Sequence, residues 1–360
     1  MKLPIVSFID DGINPAIVPG DIDFINLVIT NNEVSLNDKC DYYAHASECF
    51  NIFQKHVRVP YVLVSIKVMD KEIQKGHTQD LLLALEWCEK NDVSIINLSI
   101  GSSYFGDMNS LYNAVHRLHS KNVIVVAACN NNNTLTYPAS FPHVIGTRHY
   151  NNKSLKGIIG FLEYSLDGIE FMTYAESCTN SHAAPLVTAK ICNYLYKRPF
   201  TPEEAHTYLY KNALKFNFCD KNRPIDFYKS ILNDWTIIDV PIVLFVKDNP
   251  EMSANAFSKN LEELITLLRI DGYHAIGLSQ FITIDFSNVI LKIPEQSKIS
   301  SLYEAIVIMF NLMQPDIIFI DVSKKDAKWL QEQNIEDVEL ARTKICSPQN
   351  VQKLLKEILS

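Results

Sequence analysis

The 360-residue sequence lacks a long apolar run, a block of basic residues and a closely spaced pair of cysteines. Within residues 1–10, a lysine and a proline interrupt the apolar residues before a signal-peptide core or a membrane-spanning segment can form. The 33 Lys and Arg residues are outnumbered by 41 Asp and Glu, which gives a net charge of −8. Because nucleic acids and anionic membranes are bound through clustered positive charge, neither is an expected partner.

The eight cysteines are scattered without a Cys-x-x-Cys pair, and several lie inside apolar runs. Disulfide scaffolds and structural zinc sites are recognised by regular, close Cys and His spacings, and this sequence has none. The pattern favours free, buried thiols in a reducing compartment. We therefore predict a cytoplasmic protein without a metal site or a cofactor.

The composition, 47% hydrophobic and 21% charged, is that of a globular protein, and the length allows two domains. In residues 1–233, apolar runs typical of buried strands alternate with segments of helical periodicity. The strands are predicted at 5–9, 61–68, 95–99 and 123–128, and the helices at 80–89 and 110–119. Such alternation indicates an α/β fold with a parallel sheet covered by helices on both faces.

A second, smaller α/β series follows a boundary that we place near 233 to 240, so that the second domain covers residues 236–360. Strands are predicted at 241–246, 273–278, 289–293 and 316–321, and helices at 257–270, 301–313 and 350–359. The order indicates a doubly wound, Rossmann-like or degenerate P-loop-like domain. The loop at 247–255 has no glycine and no Gly-Lys-Ser/Thr motif, so nucleotide binding is not predicted. Substrate docking, autoregulation, self-association and simple stabilisation of the first domain all stay open for it.

Three candidate functional residues are each weak when taken alone. Asp10 ends the first predicted strand, at the carboxyl edge where ligands gather in open α/β folds, but Asp11-Gly12 is also an ordinary turn. His45 is a lone histidine. Ser181 precedes a run of small residues that suits a nucleophile at a helix start, but an isolated serine at such a position is more often an ordinary N-cap.

Taken together, these residues are far more specific. Ser7 to Ile13, His45-Ala46-Ser47 and Asn180 to Pro185 resemble, in that order, the aspartate, histidine and serine blocks of the subtilisin-like serine proteases (subtilases, peptidase family S8). The segments 96–101, 123–131 and 137–145 are similar to three further stretches of that family. The resemblance covers about residues 3 to 215.

The resemblance implies a subtilisin-like parallel sheet flanked by helices and assigns a role to each matching residue. Ser181 would be the nucleophile, His45 the general base and Asp10 the residue that orients His45. Asn131 would stabilise the oxyanion, and an extended peptide would pair with Ser99-Ile100-Gly101. Metal ligation is not expected, because His56, His77, His143 and His149 have no mutual spacing such as His-x-x-x-His.

The sequence also departs from the family pattern. Ala46, Asn130 and Thr179 occupy positions where the family usually has glycine, and Asp11 occupies that of a Thr or Ser. A β-branched residue such as Thr179 would be strained if its φ had to be positive, whereas asparagine tolerates that conformation better. A distorted site is therefore an open alternative.

Three hypotheses follow. The first is a serine endopeptidase of narrow specificity, with a peptide or protein substrate. Because the aspartate block begins at residue 5, we expect no prosegment, and the chain resembles the compact cytoplasmic subtilases that remove leaders from ribosomally made peptide precursors. The second is an inactive, subtilase-like peptide-binding module or scaffold, and the third is an acyltransferase or peptide ligase. A homo-oligomer or a partner held by the second domain is a further possibility.

Two weaker expectations concern residues near the catalytic blocks. Asp11, Asp41 and Glu48 are candidates to favour a basic substrate residue, although surface carboxylates are common. His182 is expected to point away from its neighbour Ser181, as consecutive residues do on a helix.

Overall fold

The computed structural model describes residues 3–37, 45–69, 77–163, 165–196, 201–216, 224–232, 234–236, 238, 240–246, 254–279, 290–292, 299–322, 328 and 340–343. The contacts divide the chain into two compact units, Met1–Lys221 and Asn222–Ser360. The predicted boundary near 233 to 240 lies further along the chain, and the domains 1–233 and 236–360 stay predictions as independently folding units. In the described part of the chain, none of the helices is both long and apolar enough to cross a bilayer.

The first unit is built on a ten-stranded, mainly parallel sheet. Its strands are β1 (Ile5–Asp10), β2 (Phe24–Thr30), β3 (Glu33–Leu36), β4 (Val62–Lys67), β5 (Ile95–Leu98), β6 (Ile124–Ala128), β7 (Ile145–His149), β8 (Gly160–Leu162), β9 (Phe171–Thr173) and β10 (Leu214–Phe216). The order across the sheet is β10-β8-β9-β7-β6-β5-β1-β4-β2-β3, and only the pairs β2/β3 and β8/β9 are antiparallel among the pairs described.

The described residues of this unit form the α-helices α1 (His45–His56), α2 (Thr78–Lys90), α3 (Met108–Ser120), α4 (Ala183–Leu195) and α5 (Pro202–Asn212). Helix α4 is buried over most of its surface and lies against β5, β6 and β7. Its small residues allow this close approach to the sheet, and Thr188 Oγ1 donates a hydrogen bond of 2.9 Å to Asn97 Oδ1 on β5. The buried helix thus has a fixed position relative to the centre of the sheet.

Aromatic packing fixes α1 against β1. Phe8 on the strand contacts Phe53 on the helix edge to face, with ring centroids 5.5 Å apart, and Phe53 contacts Tyr61 in the same way at 5.0 Å. Both phenylalanines are fully buried or nearly so, and each such ring stabilises the fold by about 1.5–3 kcal/mol. Because His45 begins α1 and Asp10 ends β1, this packing also determines how these two residues meet.

The described residues of the second unit form a five-stranded sheet and three helices. The strands are β11 (Ile242–Val246), β12 (Ala275–Ser279), β13 (Ile290–Lys292), β14 (Ile317–Val322) and β15 (Leu340–Thr343), and the helices are α6 (Pro224–Ile231), α7 (Ala254–Ile270) and α8 (Ile299–Met313). All described pairs are parallel, in the order β13-β12-β14-β11-β15. The predicted α/β class is confirmed for both units, while the predicted helix at 350–359 and the loop at 247–253 lie outside the described residues.

Candidate active site

Three neighbouring parallel strands deliver candidate residues to one edge of the sheet. β6, β5 and β1 lie side by side, and their carboxyl ends lead into Asn130-Asn131, Ser99 and Asp10, respectively. Parallel strands end at the same edge, which is where ligands and catalytic groups gather in open α/β sheets. The strand order therefore explains why residues so distant in sequence come together.

Asp10 and His45 are in direct contact. His45 Nδ1 lies 2.8 Å from Asp10 Oδ2, and the Asp10 side chain is only 4% exposed whereas that of His45 is 36% exposed. A carboxylate at this distance holds the proton on Nδ1 and leaves Nε2 as the nitrogen that can accept a proton.

Asp11 fixes the start of α1. Its Oδ2 accepts the backbone N–H of His45 at 3.0 Å, and its Oδ1 accepts that of Ala46 at 2.8 Å. These are donors that a helix amino terminus otherwise leaves unpaired, and a carboxylate there also meets the positive end of the helix dipole. Asp11 is therefore engaged by backbone groups and nearly buried, so the expectation that it selects basic substrate residues is not supported. Asp41 lies outside the described residues.

Burial and neighbouring charges shift the pKa values of His45 and Asp11. Burial opposes the charged form of His45, but the hydrogen bond and the negative charge of Asp10, with a contribution from Cys49, raise its pKa above the usual value. Burial and the adjacent charge of Asp10 raise the pKa of Asp11, although its two backbone hydrogen bonds act in the opposite direction. The site thus stabilises a protonated His45.

Ser181 lies in a 3-10 turn, Asn180–His182, that leads directly into α4. Asn180 anchors this turn, because its Oδ1 accepts the N–H of His149 at 2.8 Å and its Nδ2 donates to the carbonyl of Asn130 at 2.5 Å. The Ser181 carbonyl accepts a hydrogen bond from Ser99 Oγ at 3.2 Å. In the described part of the chain, no hydrogen bond joins Ser181 Oγ to His45.

Asn131 is connected to the same turn. Its Oδ1 accepts the backbone N–H of Asn180 at 3.1 Å. Because this hydrogen bond fixes the oxygen of the Asn131 amide as an acceptor, the Nδ2 group is the hydrogen-bond donor of this side chain. The structure therefore links Asn131 directly to the segment that carries Ser181.

The positions that depart from the family glycines are not strained. Thr179 has φ −109° and ψ 142°, which is extended backbone that any residue adopts. Asn130 also stays outside the left-handed region, and the residue with positive φ in the serine segment is Cys178, at 58°. The backbone at Thr179 and at Asn130 is therefore not distorted by the loss of glycine.

An open cleft of about 490 Å³ lies along Ser181. Its described lining consists of Val68, Met69, His77, Thr78, Leu81, Ser99, Ile100, Gly101, Ser102, Asp107, Ala128, Cys129, Asn130, Asn131, Thr136 and Ser181. Gly101 is required by close approach, because a Cβ there would lie 2.7 Å from the carbonyl oxygen of Tyr137. The residues Ser99 to Gly101 thus form one wall of the cleft.

Sequence reasoning missed Asp107, which is the only carboxylate in the described cleft lining. Its Oδ2 accepts hydrogen bonds from Thr78 Oγ1 at 2.7 Å and from Ser102 Oγ at 2.6 Å. No local pattern reveals this, because the three residues come from a helix, a loop and a turn that only the fold brings together.

Cys49 and His182 also contact His45, and neither contact was predicted. Cys49 Sγ lies 3.9 Å from His45 Nε2 and 3.3 Å from Ser99 Oγ. The ring of His182 stacks on that of His45 with centroids 6.0 Å apart, and its direction relative to Ser181 stays a prediction. His182 belongs to the 3-10 turn that precedes α4, which brings its ring to the start of α1.

A model described as the subtilase family (peptidase S8) matches residues 31–203, a range that includes His45, Asn131 and Ser181 and begins after Asp10. The "Minor extracellular protease Epr" of Bacillus subtilis (strain 168) is 25% identical over 123 residues, which is 33% of this chain. That match spans only 18% of the relative's length.

Several solved protease structures are similar to part of this chain. A lanthipeptide protease is 16% identical, with 61% of this chain and 82% of that chain covered and a TM-score of 0.47. The prenylagaramide maturation protease PagA is 17% identical, with 61% and 87% covered and a TM-score of 0.44. The self-cleaved protease domain of PatA is 20% identical, with 59% and 88% covered and a TM-score of 0.42.

Proposed function

Because its amino-terminal unit belongs to the subtilase family, we propose that this protein is a serine endopeptidase that hydrolyses peptide bonds through an acyl-enzyme on Ser181. The observation that carries the proposal is the 2.8 Å contact between Asp10 and His45, at the sheet edge that also bears Ser181 and Asn131. These are the groups that acyl transfer requires: a nucleophile, a base, a group that orients the base, and an oxyanion donor.

In the proposed reaction, His45 Nε2 accepts the proton of Ser181 Oγ as that oxygen attacks the substrate carbonyl. Asp10 keeps the other ring proton on Nδ1 and stabilises the imidazolium that forms. His45 then donates the proton to the leaving amine, and water releases the acyl group by the same steps in reverse. The Ser181–His45 hydrogen bond has to form when substrate binds, as often happens in enzymes whose free sites are loosely aligned.

Asn131 is proposed to stabilise the oxyanion together with the Ser181 N–H. Asn131→Ala should lower kcat by about 10² to 10³-fold with little change in KM, because the donor acts mainly on the charge that develops in the transition state. Steady-state kinetics on a cleaved peptide measures this. Asn132→Ala, an exposed neighbour, is the control, and an equal rise in KM for Asn131→Ala would assign the residue to substrate binding instead.

Extended substrate is proposed to add as a strand beside Ser99-Ile100-Gly101, so that backbone hydrogen bonds supply affinity and the cleft supplies selectivity. Ser99 contacts the Ser181 segment, and Ser102 contacts Asp107. The carboxylate is therefore about three residues, or roughly 10 Å, along the substrate from the scissile bond. A basic residue on the amino side of the cleaved bond would place its charge near Asp107.

This predicts that Asp107→Asn lowers kcat/KM selectively for such basic peptides. The loss should be about 10 to 100-fold, the value of one charge-assisted hydrogen bond, and the isosteric amide can still accept from Thr78 and Ser102. Paired peptides that differ only in lysine or norleucine at each of the positions before the cleaved bond provide the measurement. An equal loss for both members of every pair would show that Asp107 only holds the cleft wall.

Narrow specificity, such as leader removal from a ribosomally made precursor, is the finer form of the proposal. An inactive peptide-binding module is the second candidate, favoured by the absence of a Ser181–His45 hydrogen bond among the described residues. Labelling of the full chain with a fluorophosphonate separates the two. An adduct at Ser181 that is absent in Ser181→Ala supports the protease, while a folded protein that does not label supports the binding module.

A further inference from the structure

Three potential metal ligands meet at the proposed base, although the sequence showed no metal-binding spacing. The ligand atoms of His45, Cys49 and His182 all lie within 4.8 Å of one another. His45 and Cys49 are one helical turn apart on α1, and His182 comes from the turn before α4. The group therefore exists only because α1 and the serine turn lie together.

The two histidines are oriented as metal ligands usually are. A metal-bound histidine commonly donates its other ring N–H to a carboxylate or another acceptor, which fixes the tautomer. His45 Nδ1 has Asp10 as that partner at 2.8 Å, and His182 Nδ1 contacts Ser177 Oγ. Nε2 of His45 is thus the nitrogen that presents a lone pair to a metal, and in His182 Nε2 takes the same role once the proton that it shares with Glu48 Oε2, 3.4 Å away, has left.

The separation of the donors suits a small ion. Zinc binds thiolate at about 2.3 Å and imidazole at about 2.0–2.1 Å, so a tetrahedral site sets its sulfur and nitrogen about 3.5 Å apart. Cys49 Sγ and His45 Nε2 are 3.9 Å apart, so they need to approach by only a few tenths of an ångström. Glu48 Oε2, which lies 3.4 Å from His182 Nε2, is a further oxygen beside the group.

We propose that His45, Cys49 and His182 bind a zinc ion, or a similar borderline-soft cation, and that this binding inhibits the enzyme reversibly. Two imidazoles and one thiolate select such cations over magnesium and calcium, which prefer oxygen ligands. When the metal–ligand bonds form, the Cys49 thiol, Nε2 of protonated His45 and Nε2 of His182 each release a proton to solvent. The metal also occupies the lone pair of His45 Nε2, so the histidine can no longer accept the proton of Ser181.

Only the inhibitory consequence rests on the proposed function, and binding can be tested without it. Titration of the full chain with Co²⁺ should give thiolate-to-cobalt charge-transfer absorption together with the d–d bands of a tetrahedral site, and Zn²⁺ should displace both. Cys49→Ala should abolish the charge-transfer band. His182→Gln should weaken cobalt binding by more than the roughly 10 to 100-fold that even an outer-shell partner contributes. Cys178→Ser, which removes an exposed thiol outside the group, should leave the spectrum unchanged.

The inhibition is measured by titrating peptide cleavage with Zn²⁺, each variant being normalised to its own rate in the presence of a chelator. The wild-type protein and Cys178→Ser should be inhibited and then recover on chelation, whereas Cys49→Ala and His182→Gln should need at least about tenfold more zinc. A cobalt spectrum without the thiolate band, or one that survives in Cys49→Ala, would overturn the site. Equal zinc sensitivity in all four proteins would overturn the regulation. If no protein cleaves peptide while the cobalt results hold, the proposed function fails and the metal site stands.

Discussion

Replacing Ser181 by alanine should lower the rate of peptide cleavage by about 10⁶-fold and leave the fold intact. This magnitude is the one associated with removing the nucleophile or the base of subtilisin. The physical reason is that the acyl-enzyme cannot form, so only transition-state binding by the remaining groups contributes. The substitution removes one oxygen from a turn that the Asn180 side chain holds independently, and thermal unfolding should therefore change little.

A stricter test of whether Ser181 and His45 act in one mechanism is whether the effects of their substitutions on the rate are additive. His45→Ala alone should be about as slow as Ser181→Ala, and the double variant should be no slower than either, because the two groups act in one proton transfer. Ser120→Ala, which removes an exposed hydroxyl at the end of α3, is the matched control. Residual cleavage by Ser181→Ala near the wild-type rate would exclude Ser181 as the nucleophile.

The strands that could be predicted from sequence are those that are buried on both faces. β1, β5 and β6 are continuous apolar runs, and the alternation with helices then fixes their parallel arrangement. β2 is half-exposed near the sheet edge, and β8 and β9 have only three residues each. None of these three strands therefore gives a clear hydrophobic pattern in the sequence. These three strands are recognised only by their hydrogen bonding to neighbouring strands in the folded sheet.

Arg148 illustrates the limit of local patterns. It is a fully buried arginine within β7, where a charged residue argues against a strand. Its charge is neutralised by an equally buried ion pair with Asp167, which lies 19 positions further along the chain. Only the folded structure joins the two, so the apolar rule fails here for an identifiable reason.

The residues of the candidate site also differ in whether their positions could be predicted from the sequence. Asp10, Ser99 and Asn131 could be predicted to converge because each follows a strand, and parallel strands end at one edge. The roles of Asp107, Cys49 and His182 could not, because their contacts depend on how helices and turns pack above that edge. For Asp11, the position beside Asp10 is evident from the sequence. Its hydrogen bonds to the backbone at the start of α1 are not, because they depend on the aromatic packing of that helix against β1.

Asp10→Asn should lower the maximal rate by about 10⁴-fold and also move the pH profile. The rate loss follows from the hydrogen bond at Nδ1, because an amide can donate to that nitrogen and stabilise the wrong tautomer. Cleavage requires neutral His45, so the rate of the wild-type enzyme should rise with pH through a pKa that Asp10 holds above the usual value of about 6.5. Removing the negative charge lowers that pKa, and the rising limb should shift to lower pH.

The same pair makes a prediction for stability, which separates the charge effect from catalysis. Since the folded state raises the pKa of His45, its ion pair with Asp10 contributes stability that is fully present below about pH 6.5 and is lost as the pH rises through the folded-state pKa. Thermal unfolding in the Ser181→Ala background should therefore show a larger penalty for Asp10→Asn at pH 5.5 than at strongly alkaline pH. A carboxylate that stabilises the imidazolium must affect both the pH dependence of stability and that of the cleavage rate. If the loss of stability in Asp10→Asn is the same at all pH values and the pH profile of the rate does not move, Asp10 acts only through packing.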